Sequence, residues 1–103
     1  MEYMYILDKG YGLEISRAEL LRQTAHTVDI AKPVVIWSNA RYSSYMPQRI
    51  RKKSKDRDTF PTLAEAIQAA LGVLVINRDD AGIAIQKAMD GIQQLYELKE
   101  EAQ

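Results

Sequence analysis

The chain contains no cysteine and a single histidine, His26, among its 103 residues. Neither a disulfide framework nor a thiolate or multi-histidine metal site can be assembled from that inventory, so no metal or other cofactor is expected. No apolar run approaches the roughly 20 residues that a membrane span requires. The stretch from Met1 to Leu7 carries Glu2 and runs directly into Asp8 and Lys9, without the basic region and apolar core of a signal peptide. Glycine is missing between Ser38 and Phe60, which excludes a Walker-type phosphate cradle or a dinucleotide fingerprint there. No Ser/His/Asp spacing offers a nucleophilic constellation, and internal repeats and low-complexity tracts are lacking. These absences describe a soluble, cytoplasmic binding protein and make an enzyme the less favoured class.

Charge is abundant and of both signs, fourteen Lys and Arg against fourteen Asp and Glu, but it is unevenly placed. Residues 41–57 hold seven bases and one acid, Asp56, whereas residues 58–103 hold three bases and eight acids. A basic stripe beside an acidic remainder favours phosphates or an acidic partner, because local potential rather than net charge steers an encounter.

The length suits a single domain with a real core but little surplus stability. Tyr3 to Leu7 is aromatic and branched and ends in the turn-prone Asp8-Lys9-Gly10-Tyr11-Gly12, which predicts a strand and a tight turn. Ser16-Arg17-Ala18-Glu19 has capping-box spacing, with Ile15 and Leu20 at the staple positions, and predicts a short helix over about 17–27 that ends near His26. Pro33 precedes Val34-Val35-Ile36-Trp37, a continuous apolar run that suits a central strand buried on both faces. A basic loop follows over 39–60, with at most one helical turn near 48–53. Thr62-Leu63-Ala64-Glu65 is a second capping box at the start of an amphipathic helix, whose apolar positions can continue through Val75 or, in the slightly favoured reading, stop near Gly72 and give way to a strand over 73–76. Asp79 and Asp80 are placed to cap the last helix, whose apolar stripe includes Ala84, Ile85, Ala88, Met89, Ile92, Leu95 and Tyr96. The expected class is therefore α+β: two or three strands, a short capped helix, a basic loop and one or two long C-terminal helices.

The basic stripe interleaves cations with aromatic rings: Arg41, Tyr42, Tyr45, Arg49, Arg51, Lys52, Lys53, Lys55 and Arg57. Nucleic-acid sites need both kinds of group, cations to displace the counterions of phosphates and flat rings on which unpaired bases stack. A regulator that binds DNA, RNA or a nucleoprotein complex is the leading expectation. A solvated, solubilising loop accounts for the same charges, and so does a modulator or inhibitor that docks on an acidic protein by this loop or on a partner by the acidic C-terminal helix. Ser38, Asn39, Arg41, Ser43 and Ser44 directly follow the apolar strand and form a third candidate, a small-ligand or enzymatic site, although ordinary turn chemistry explains the serines. The wide stripe of Ala84, Ile85, Ala88, Met89, Ile92 and Tyr96, with small residues that admit a close neighbour, makes a homodimer the other partner expectation.

Overall fold

The computed structural model describes residues 2–43, 45–80 and 85–102, which fall into two compact units, Met1–Thr62 and Leu63–Gln103. The first unit is a sheet of five antiparallel strands: β1 (Tyr3–Asp8), β2 (Glu14–Gln23), β3 (Thr27–Ser38), β4 (Arg49–Arg51) and β5 (Arg57–Phe60). Their order across the sheet is β4-β3-β2-β1-β5, a meander whose last strand returns to the first. The α+β layout expected from sequence is therefore corrected to a strand-rich, nearly closed, barrel-like sheet followed by two helices.

The segment 39–60, expected to be a loop, supplies the closing strands. β4 pairs with β3 through Thr27 and Arg51, Val28 and Ile50, and Asp29 and Arg49, while β5 pairs with β1 from Tyr5 opposite Phe60 to Asp8 opposite Arg57. Lys52 bridges the two ends of the sheet with its backbone. Its N–H donates to the His26 carbonyl at 2.8 Å, and its carbonyl accepts the Thr59 N–H at 2.9 Å. Closure of this kind removes unpaired strand edges, whose bare N–H and C=O groups would otherwise invite association.

The predicted helix over 17–27 is β2, and its capping box is a coincidence of spacing. Ser16 is only 3% exposed and lies opposite Ile6 in β1 and Val35 in β3. The β2–β3 pairing shifts register at Ile15/Ser16, Arg17/Glu19 and Leu20/Arg22. Each such bulge breaks the two-residue alternation, leaving apolar residues at 15, 18, 20 and 21, a spacing that imitates a helix. His26 accordingly sits in the exposed β2–β3 turn and not at a helix end. A further irregularity falls at Lys32, which has φ +52°, immediately before Pro33. Val34 and Val35 are 58% and 49% exposed, so the predicted two-sided burial of this run does not hold, and the central strand is β2.

One core cluster of this unit comprises Met4, Ile6, Ala18, Val28, Ile30 and Ile50, with Leu20 and Met46 packed against it. On the opposite face of the β1–β2 pair, Leu7 lies across from Ile15, and both are fully buried. At ~25 cal/mol per Å² of apolar surface, a buried Leu or Ile adds about 1.5–3 kcal/mol, so this paired burial fixes the register of the meander.

The second unit contains α1 (Leu63–Asp80) and α2 (Ile85–Ala102). α1 starts directly after Thr62, with Glu65 in its first turn, as the capping box predicts. It does not stop at Gly72: residues 73–76 are helical, and no third strand forms there. Ala66, Ile67, Ala70, Leu71 and Leu74 are buried at helical spacing, and Leu95 of α2 is buried as well. Lys99 Nζ donates to Gln68 Oε1 at 3.0 Å, which sets the end of α2 beside the start of α1 as an antiparallel hairpin. Asp79 and Asp80 are the last residues of α1; their side chains and residues 81–84 lie outside the described residues, and with them the expected cap.

Candidate functional site

Two turns of the barrel meet because of one glycine. Gly12 has φ +124°, and a Cβ there would lie 2.8 Å from the Ala40 Cα. Only a residue without a side chain allows the β1–β2 turn to cross the β3–β4 loop this closely. The crossing is held by the Asn39 N–H on the Leu13 carbonyl at 2.9 Å and by the Arg41 N–H on the Tyr11 carbonyl at 3.1 Å. The Asn39 carboxamide Oδ1 also accepts the Leu13 N–H at 2.9 Å. As a result the Tyr11 and Tyr42 rings stand edge to face with centroids 6.0 Å apart, both exposed.

Beside them opens a cleft of about 450 Å³, lined by Asp8, Gly10, Tyr11, Tyr45, Ser54, Asp56 and Arg57. Tyr45 is 86% exposed. Arg57 is fixed by two bonds, Nε to Asp8 Oδ2 at 3.0 Å and an Nη2 bond to the Tyr45 carbonyl at 2.6 Å. Asp8 also accepts the Gly10 N–H on Oδ1 at 2.9 Å. Lys9 pairs with Asp58 at 3.0 Å, and its N–H donates to the Asp56 carbonyl at 2.7 Å. The hairpin tip from Ser54 to Arg57, closed by the Ser54 N–H on the Arg57 carbonyl at 2.7 Å, is thereby tied to the turn that carries Tyr11.

The cations expected to contact phosphates divide into two groups. Arg49 forms a bidentate pair with Asp29, Nε to Oδ1 at 2.7 Å and Nη2 to Oδ2 at 3.2 Å, across the β3–β4 ladder. The hydrogen bond to Arg49 holds the Asp29 carboxyl below its usual 3.8, and the same bond raises the Arg49 guanidinium. Arg57 is held by Asp8 as described. Arg41, Arg51, Lys53 and Lys55 are exposed and Lys52 is half-buried, and none of the five makes an ion pair among the described residues.

Most of the polar groups at 38–44 are engaged within the fold. Glu14, buried at the start of β2, accepts the Ser38 and Ser43 hydroxyls on Oε2 at 3.1 and 3.0 Å, and Asn39 bonds Leu13. Ser44 lies outside the described residues. Of the proposed dimer stripe, Tyr96 is exposed, while Ala84 and the side chains of Ile85, Ala88, Met89 and Ile92 lie outside the described residues. The sequence pattern assigns Asp8, Tyr11 and Gly12 to a turn and gives none of them a role in a site. The signal was a tyrosine between two glycines, Gly10 and Gly12, a context that leaves an aromatic ring at a turn apex. No helix among the described residues is long and apolar enough to cross a membrane, and no cluster of His, Asp and Glu among them could hold a metal ion.

No known protein family, curated protein or solved structure matches the chain.

Proposed function

We propose that the protein is a non-enzymatic module that binds single-stranded nucleic acid across the face formed by the β1–β2 turn, the β3–β4 loop and the β4–β5 hairpin. The observation that carries this reading is the exposed set Tyr11, Tyr42 and Tyr45, two of them held 6.0 Å apart, next to a hairpin whose lysines form no ion pair among the described residues. Exposing three tyrosines forgoes the burial that would stabilise the fold, whereas stacking of a base on such a ring contributes about 1–3 kcal/mol. Arg41 adjoins Tyr42 in the chain, and Lys53 and Lys55 flank Ser54 of the cleft. These side chains supply the phosphate contacts. Arg49 and Arg57 are assigned to the scaffold, because each already holds a carboxylate.

Fluorescence anisotropy with labelled single- and double-stranded oligonucleotides over a range of salt tests the reading. The expected outcome is preference for single strands and an affinity that falls with salt, by roughly 0.7 in the logarithmic slope for each phosphate contact. Arg41→Ala, Lys53→Ala and Lys55→Ala together are expected to flatten the slope by about two. Absence of binding to every probe at low salt overturns the proposal and leaves an acidic protein as the partner to seek.

A further inference from the structure

We infer that the cleft between Tyr11 and Tyr45 takes an unpaired guanine, an assignment that rests on the nucleic-acid reading above. Asp56 is the one acid of the basic segment 41–57, and the fold places it on this cleft. It is exposed, and among the described residues its side chain makes no hydrogen bond or ion pair. The turn does not need it. The hairpin is closed by the Ser54 backbone and hydroxyl on Arg57, and the link to Lys9 uses the Asp56 carbonyl rather than its carboxylate.

A carboxylate among phosphate-binding cations weakens binding to the backbone by like-charge repulsion, so its place on such a surface is explained by a group that donates to it. An ionised carboxylate only accepts hydrogen bonds, on two oxygens side by side. Among the bases, guanine alone presents two adjacent donors on its pairing edge, N1–H and the N2 amino group, followed by an acceptor, O6. Asp56 matches the two donors. Arg57, the next residue and a lining residue of the same cleft, uses Nε and Nη2 toward Asp8 and Tyr45 and carries further N–H donors suited to O6. Tyr11 and Tyr45 provide the ring faces against which the base lies.

The experiment measures the 103-residue chain, native and Asp56→Asn, against four oligothymidylate probes of one length: unsubstituted, and with one central guanine, inosine or adenine. The native protein is expected to bind the guanine probe about tenfold more tightly than the inosine and adenine probes, the scale of one bidentate contact. Asp56→Asn is expected to lose that preference while binding the unsubstituted probe as well as or better than the native chain, with an unchanged melting temperature. Equal affinity of the native chain for all four probes, or a guanine preference that survives Asp56→Asn, overturns the guanine assignment and leaves single-strand binding standing. No binding to any probe overturns both.

Discussion

Gly72 and Gly12 are the same residue type used in opposite ways, and substitution separates them. Gly72 sits on the exposed side of α1 with nothing within 4 Å of a built Cβ, so it meets no steric or conformational need. Gly72→Ala is expected to raise stability by about 0.5–1 kcal/mol, the helix-propensity difference, measured as a higher midpoint of denaturant unfolding. Gly12→Ala meets the Ala40 backbone and a positive φ at once. It is expected to destabilise the sheet by at least about 1 kcal/mol and to weaken oligonucleotide binding further, since Tyr11 and Tyr42 depend on that crossing. Asp29 adds a pH signature. Its carboxyl is depressed by the Arg49 bond, so its contribution is present above the ordinary carboxylate value and is lost as pH falls through the lowered one. Stability should decline in acid below about pH 4, and Asp29→Asn should remove that part of the decline.

At the scale of elements, the β1–β5 seam carries two ion pairs, Asp8–Arg57 and Lys9–Asp58. The first is mostly buried, with side chains 9% and 19% exposed. Removing one partner leaves a poorly hydrated charge behind, so Arg57→Ala is expected to cost about 3 kcal/mol and to release β5 from β1 before β2 and β3 separate, as hydrogen exchange would report. The elements that sequence periodicity locates, β1, the start of α1 and the helical character of α2, are those whose pattern comes from local rules: alternation, a cap, a 3.6-residue stripe. The spacing in β2 imitates a helix because three register shifts break its alternation, and β4 and β5 resemble loop because three- and four-residue strands are too short to show a period. Both are non-local effects. Lys52 links the β2–β3 turn to β5 through backbone atoms, which leave no mark on side-chain identity. The basic segment stands out as a candidate site from composition alone, but its division into paired arginines and cations without an ion pair among the described residues depends on the positions of Asp8 and Asp29, far away in the chain.

For the whole molecule, the zero net charge conceals a contrast between the units: residues 1–62 carry eleven bases and seven acids, and residues 63–103 carry three bases and seven acids. The helical unit therefore opposes the approach of any polyanion to the barrel. How strongly it does so depends on salt, because the screening length is about 30 Å at 0.01 M and about 8 Å at 0.15 M. Glu97, Glu100 and Glu101 are exposed on the last turns of α2, so replacing all three by Gln alters the field with little effect on packing. The triple variant is expected to bind single-stranded probes severalfold more tightly than the native chain at 0.01 M salt and equally at 0.15 M. The proposed guanine preference is expected to stay unchanged, since it would be set by contacts with the base and not by net charge. A gain of equal size at both salt concentrations would mean that these glutamates touch the bound strand themselves, which would extend the binding face from the barrel onto α2.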